Sequence, residues 1–418
     1  MLTQTQKKDL NKAILEYLSS QDGFQKTQSA FMEESGLKLD GASSGLLEKK
    51  WTSVIRLQKK LLELEQKNTE LQELVKSGGG AIGSTTYVLM LLISLCPSAN
   101  LPGRMRTTRG KDALPIAPAS KELLGHRSPI TCVVVHPTFN VIVSSSEDGT
   151  VKVWDGDAGV LEKTLNGHTN SVNCVCFDPA GTVLASASSD ATIKLWNLGK
   201  GVTIRSLNGH DHTVSQVVFS PDSSYLYSCS RDKTIRTWEL NTGFCARTFH
   251  GHSDWVRTLA LSPDGRCLFS GSSDKSVRLW NAAKGECMAE LYCHDHVVED
   301  VKWSACKWQD GSKALLASAS RDMVIILYEC VQSSLTVLCR LEAHDNWVRG
   351  LEFHPNGQYL LSVSDDKNLL VWNLEKRKVE KKLLSVHQHF VSALTLSPKQ
   401  FTVVTGSVDN SLKVWDCA

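Results

Sequence analysis

The chain lacks an excess of charge of either sign. Its 418 residues hold 46 basic and 44 acidic side chains, a net charge of +2. A balance so near zero gives no strong field with which to hold a nucleic acid or an anionic membrane. It also lacks a long apolar run. The most apolar stretch, Tyr87–Cys96, has ten residues, about half of the roughly twenty that a spanning helix needs. Thirteen cysteines are present, yet none form a CxxC pair or a disulfide framework. Cys174 and Cys176 flank Val175 on a predicted strand, where thiols act as small buried apolar groups. No leader is apparent at the N-terminus, so a reducing cytosolic setting is expected.

What the chain does contain is a repeat. Seven times a His is followed by Ser-x-Asp and then an aromatic residue. The copies are His126/Asp148/Trp154, His168/Asp190/Trp196, His210/Asp232/Trp238, His252/Asp274/Trp280, His294/Asp322/Tyr328, His344/Asp366/Trp372 and His387/Asp409/Trp415. A period near 42 residues with a Gly-His start and a Trp-Asp-like end resembles WD40 repeats. The expected fold is therefore mainly β: a seven-bladed WD40 propeller over residues 116–418. Short apolar strands such as VLASAS and TIKLW separate the polar residues, four to a blade. The chain ends just after Trp415-Asp416, so residues near Ile116–Leu124 are expected to supply the last blade's outer strand and close the ring.

His, Ser and Asp in one repeat also suggest a hydrolase triad. A nucleophile and base are needed once, in one pocket, whereas here the set recurs seven times at one register with no GxSxG elbow beside any copy. It reads instead as a structural staple, for example His168, Ser188, Asp190 and Trp196, with the indole N–H closing a buried polar chain. No catalytic residue, metal or cofactor is expected. Cys287, Cys293, His294 and His296 lack zinc-ligand spacing, and His294 belongs to the staple. In the fifth repeat Tyr328 replaces Trp and Cys293 replaces Gly, which predicts an incomplete network. Six extra residues there are read as a loop over Ser304–Lys313 that carries Trp308.

Candidate binding residues flank the repeated set. Arg231, Lys233, Trp255, Arg257, Lys275, Arg321, Trp347, Arg349 and Lys367 fall in loops expected on one face. Two loops read Asp-Trp-Val-Arg and Asn-Trp-Val-Arg, and Trp and Arg dominate binding hot spots. Near-neutral charge favours an acidic protein surface over nucleic acid as the partner.

The N-terminal third differs in kind. Residues 5–37 read as a helix pair with apolar stripes at Leu10, Ile14, Tyr17 and Leu18, then Phe24, Ala30 and Phe31. These residues resemble the LisH dimerisation motif. Residues 46–76 carry heptads with Leu47, Val54, Leu61, Asn68 and Val75 at a positions and Lys50, Leu57, Leu64 and Leu71 at d positions. Asn at an a position favours a two-stranded coil in register. A parallel homodimer through Leu10, Ile14, Leu18, Phe31, Val54, Leu57, Leu61, Leu64 and Asn68 is expected. Residues 77–115 form a linker with the atypical apolar insert.

LisH motif, coiled coil, linker and seven WD40 repeats, in that order, resemble the lissencephaly-1 family. Local matches include GLLEKKWTSVIRLQKK (45–60), GHDH (209–212), SRDKTI (230–235), HDNWVRG (344–350) and VTGSVDNSLKVW (404–415). The resemblance implies a non-catalytic, cytoplasmic, microtubule- and centrosome-associated regulator of cytoplasmic dynein, gripping the heavy chain through one propeller face. By motif it assigns contacts to Arg231 and Arg321 in the SRD loops, Arg257 in DWVR, Trp347 in NWVR and Lys367 in DDK. It also implies NudE-type coiled-coil adaptors and the catalytic subunits of platelet-activating-factor acetylhydrolase as partners. A substrate receptor of a ubiquitin ligase, a chromatin scaffold and a direct esterase are the competing classes. The ligase reading loses ground because none of the six repeat Trp residues has Arg two positions after its Trp-Asp-like pair.

Overall fold

A computed structural model describes residues 113–308, 313–331, 334–397 and 402–417. The helix pair, the coiled coil and most of the linker, with every dimerisation residue named above, lie outside the described residues. The described chain forms seven four-stranded antiparallel sheets. Blade one shows the plan: Ile130–Val135 innermost, then Val141–Ser146, Val151–Asp155 and Val160–Leu165 outward. Burial follows that order, with the middle strands almost wholly covered and the outermost largely exposed. The sheets are propeller blades because each buries its faces against its neighbours. Leu184 and Trp196 of blade two, for instance, share one apolar cluster with Val143 and Val151 of blade one.

The ring closes as the sequence implies. Lys121–Leu124 pairs antiparallel with Ser411–Asp416, completing blade seven with a strand from the start of the repeats. That seam begins slightly earlier than residue 116. Ala113 is buried in the blade-seven core, and Pro115 bridges Cys417.

Equivalent side chains latch neighbouring inner strands. Thr131 Oγ1 donates to the Val172 carbonyl at 2.5 Å, Asn173 Nδ2 to that of Val214 at 2.7 Å, and Ser392 Oγ to that of Ile130. One residue further on, Gln216 Oε1 accepts from the Leu259 amide, Thr258 Oγ1 from that of Val301, and Asp300 from that of Leu351. These inner strands enclose a central channel with a cavity of about 610 Å³.

The described residues of the blade-five insert are strand. Strands Val298–Trp308 and Lys313–Ser320 extend into it, and past an irregularity between Trp303 and Lys307 they pair Lys307 with Ala314 and Trp308 with Lys313. The extra residues lengthen a hairpin at the end of the blade opposite the His and Asp turns.

After each repeat Asp the chain turns through the left-handed region. The residues there are Gly149, Ala191, Lys233, Lys275, Met323, Lys367 and Asn410, with φ between 64° and 76°. Only glycine adopts this conformation without a Cβ penalty, about 1 kcal/mol or more for other residues. The methyl of Ala191 can form no hydrogen bond to offset it. Ala191→Gly is expected to raise unfolding stability by about 0.5–1 kcal/mol. Chemical denaturation checks this, and a loss of stability would refute the strain argument.

Candidate functional site

The repeated polar set is built as a closed chain, but with a different serine from the one expected. In blade one His126 Nδ1 lies 2.9 Å from Asp148, His126 Nε2 lies 2.8 Å from Ser144 Oγ, and Trp154 Nε1 donates to Ser144 Oγ at 2.8 Å. Burial holds the His126 imidazole below its ordinary pKa despite the nearby Asp148 carboxylate, so it is neutral. A carboxylate can only accept, so Nδ1 carries the proton and Nε2 accepts from Ser144. The order of donation is Trp to Ser to His to Asp. In blade two the same roles fall to Trp196, Ser186, His168 and Asp190.

Ser188, assigned to that chain from the sequence, does something else. Its Oγ donates to the Ser171 carbonyl at 2.8 Å and accepts from the Asp190 amide at 3.1 Å, tying two turns together. The network hydroxyl sits two residues earlier, at Ser144, Ser186, Ser228, Ser270, Ser318, Ser362 and Thr405. Alternation explains the shift, because residues two apart on a strand share a face and both hydroxyls point the same way.

Blade five is not deficient. Tyr328 hydroxyl is 2.9 Å from Ser318 Oγ, where the indole N–H reaches in other blades, and 3.0 Å from Cys293 Sγ. The two departures compensate each other. A Cβ on Gly125 or Gly167 would stand 3.0 Å from the far edge of the indole, whereas the phenol leaves that edge free for Cys293. His294 is held by Asp322 and Ser318 and is not offered to a metal.

These networks set the acid limit of the fold. Burial alone would raise the Asp148 carboxyl, but hydrogen bonds from Thr150, the Arg127 amide and His126 outweigh it and bring the pKa down to about 2. The equivalent Asp190, Asp232, Asp274, Asp322, Asp366 and Asp409 are also lowered. His126 and His387 are held neutral by burial. Below pH 6.5 the unfolded chain binds protons that these two histidines refuse, and below 3.8 it binds those the aspartates refuse. Each refusal makes stability fall with falling pH. Denaturation midpoints should therefore decline from about pH 6.5 and steeply between about pH 4 and 2. Asp148→Asn should flatten the lower limb, and an unchanged limb would exclude Asp148 from it.

A second constellation lies at the channel mouth on the face of the His and Asp turns. The latch position held by Thr131, Asn173 and Ser392 is occupied in blades four, five and six by Arg257, Glu299 and Arg349. Glu299, whose side chain is only 9% exposed, gathers three guanidinium groups. Arg257 Nη1 lies 3.3 Å from it, Arg349 Nη1 lies 3.7 Å away, and Arg321 Nε donates to Oε1. Asp365 takes Arg349 from the other side at 3.0 Å. Burial pushes the Arg257 guanidinium below its ordinary pKa; Glu299 opposes this, and Arg321 and Arg349 add to it.

Two indoles lie between the guanidinium groups. Trp255 has Arg257 at 4.2 Å and Arg231 at 5.2 Å from its ring, and Trp347 has Arg321 at 4.4 Å and Arg349 at 5.0 Å. Trp255 is anchored by its Nε1 on Ser215 Oγ at 2.5 Å. Cation–π contacts of this kind contribute about 0.5–2 kcal/mol, depending on solvent exposure.

Four arginines and two carboxylates leave the cluster positively charged. The structure brings Arg257, Arg321, Trp347 and Arg349 together around Glu299 and adds Arg231 through Trp255. Lys367 stands two residues beyond Asp365 in the adjacent turn. Among the described residues, the Arg231 guanidinium and the Lys233, Lys275 and Lys367 ammonium groups have no hydrogen bond or ion pair. Sequence reasoning did not single out Glu299 or Asp365. Glu299 was detectable, since it lies 42 residues after Arg257 at the same repeat position.

A seven-bladed propeller whose recurrent polar chemistry is internal, and whose variable residues form a cationic, aromatic face, defines a WD40 protein. The chain matches the WD domain, G-beta repeat family over residues 119–155, 159–197, 201–239, 243–281, 335–373 and 378–416. Residues 4–40 match the PAC1 LisH domain. The matched repeats skip blade five, the blade with Tyr328 and the lengthened hairpin.

Among curated relatives, the Lissencephaly-1 homolog of Heterostelium pallidum is 54% identical over 445 residues, covering 99% of both chains. That of Dictyostelium discoideum is 54% identical over 440 residues, and Lissencephaly-1 homolog 1 of Paramecium tetraurelia is 53% identical over 430, each again covering 99% of both chains. The chain belongs to the lissencephaly-1 family.

Proposed function

We propose that the protein is a non-catalytic dimeric adaptor that binds and regulates the cytoplasmic dynein motor. It serves minus-end-directed transport, nuclear positioning and spindle orientation, in the cytoplasm and at microtubules and centrosomes. NudE-type adaptors and the catalytic subunits of platelet-activating-factor acetylhydrolase are its further partners. The observation that carries this reading is the Arg/Trp face, where Arg231 and Arg321 lie against half-buried indoles, beside lysines that have no hydrogen bond or ion pair among the described residues. The seven His/Ser(Thr)/Asp sets support a scaffold over an enzyme, because each hydroxyl is held between an imidazole and an indole or phenol inside its own blade. The test is capture of purified dynein motor by the full chain, with wild-type protein retaining the motor and face variants losing it. Motor capture that is indifferent to the face would overturn the assignment.

Dimerisation is assigned to the LisH and coiled-coil residues Leu10, Ile14, Leu18, Phe31, Val54, Leu57, Leu61, Leu64 and Asn68. A charge at a d position of so short a coil cannot be covered by its partner helix. Leu57→Asp is expected to halve the mass measured by sedimentation equilibrium while leaving the propeller's unfolding transition unchanged. A variant that stays dimeric would remove the coil from the interface.

A further inference from the structure

The arginines at the channel mouth are not equivalent donors. Arg349 is committed on three sides: Nε to Asp365 at 3.0 and 3.1 Å, Nη2 to the same carboxylate at 3.0 Å, and Nη1 toward Glu299. Arg257 is pinned at Nε by Ser273 Oγ at 3.0 Å and at Nη1 by Glu299. Arg321 is different. It is held through Nε on Glu299 and by the Trp347 ring beneath its plane, and neither of its Nη groups has a partner among the described residues.

A guanidinium fixed at Nε and from below presents its two Nη groups as a rigid edge. Two parallel N–H donors at that spacing match the two oxygens of one carboxylate, a geometry that lysine cannot reproduce. We infer that Glu299 is a positioning residue that holds Arg321 as a two-pronged receptor for a single carboxylate on the partner's surface. This rests on the reading that the Arg/Trp face is the partner site, and it specifies the chemistry that face accepts.

The charge balance of the whole chain favours a carboxylate over a phosphate. With 46 basic and 44 acidic residues the chain has no strong global field for a phosphate-rich polymer, which leaves an acidic protein side chain as the better-matched anion. Glu299 anchors Arg321 through Nε, and the cationic surplus around it draws in the anion. Glu299 does this work only because blade five places a glutamate at the position where blades one, two and seven use a neutral latch.

The experiment uses the full-length dimer with two probes: the purified dynein motor, and a capped tetraglutamate peptide set against inorganic phosphate. Arg321→Lys keeps the charge and removes the paired prongs. It should weaken peptide and motor binding about tenfold while the salt dependence of binding keeps its slope. Glu299→Gln keeps the side chain's size and removes the anchoring charge, and should weaken both probes about fivefold. Wild-type-like binding by Arg321→Lys would show that charge alone is read and would overturn the inference. So would tighter binding by Glu299→Gln, which would make Glu299 a competitor, or a preference for phosphate. Where Glu299→Gln unfolds, Arg321→Lys decides alone. Peptide binding that falls with Arg321→Lys, beside a wild-type protein that ignores the motor, would uphold the receptor and refute the dynein assignment.

Discussion

The double variant Trp347→Ala, Arg321→Ala is expected to lose at least a hundredfold in affinity for the dynein motor while its propeller unfolds at nearly the wild-type midpoint. Truncating a well-placed interface Trp or Arg costs about 2 kcal/mol or more, which is roughly thirtyfold for each. The two side chains touch, with the guanidinium 4.4 Å from the indole, so their effects overlap and the product is smaller than the two losses multiplied. Folding should survive because neither residue belongs to a blade network. The buried indole of blade six is Trp372, bonded to Ser362, whereas Trp347 is half-buried at the channel mouth. Arg321 is not the sole partner of Glu299, since Arg257 remains beside that carboxylate. Titration of labelled motor against both proteins, with circular dichroism to confirm the fold, measures the effect. Motor binding kept within threefold by a folded double variant would remove this face from the interface.

The architecture was legible because a period near 42 residues repeats its errors as well as its matches. Seven copies identified the blades, and the run before Gly125 identified the closing strand. Finer assignments failed where two candidates lay two residues apart, because a period of two puts both on one face. Ser144 and Ser146 both precede Asp148 on one face of a strand, and only the structure shows which hydroxyl reaches the indole. Blade five misled for a different reason. Tyr328 and Cys293 each look like a defect when read singly, and the compensation appears only when both are seen at one edge of the ring. The face residues Arg231, Arg257, Arg321, Trp347 and Arg349 were visible as types that differ between repeats. Their organiser, Glu299, was marked only by its repeat register with Arg257, and nothing in the sequence signals the three guanidinium groups that converge on it.

The two serines of blade two turn the corrected network into a measurement. Ser186→Ala removes the acceptor of the Trp196 indole N–H at 2.8 Å and the hydroxyl that satisfies His168 Nε2 at 2.7 Å. Both stranded groups lie inside the blade, Trp196 with 1% of its surface exposed, and water cannot replace the lost oxygen. Each unsatisfied buried polar group costs about 1–3 kcal/mol, so a loss of about 3 kcal/mol or more is expected. Ser188→Ala removes a bond to the Ser171 carbonyl and one from the Asp190 amide; Ser188 is itself buried, but both partners are half-exposed, so solvent can replace what they lose. Its cost should be about 1 kcal/mol. The contrast isolates the network from any general intolerance of alanine, because the two positions share a strand, a face and a side chain. Ser186→Thr supplies the control within the fold's own vocabulary. Thr405 already occupies this place in blade seven, with its hydroxyl 2.8 Å from His387 and 3.0 Å from the Trp415 indole nitrogen. Threonine at 186 should therefore recover most of the stability that alanine loses, measured by urea denaturation of the three proteins side by side. Equal losses for the two alanines would return Ser188 to the network and leave Ser186 without its assigned role.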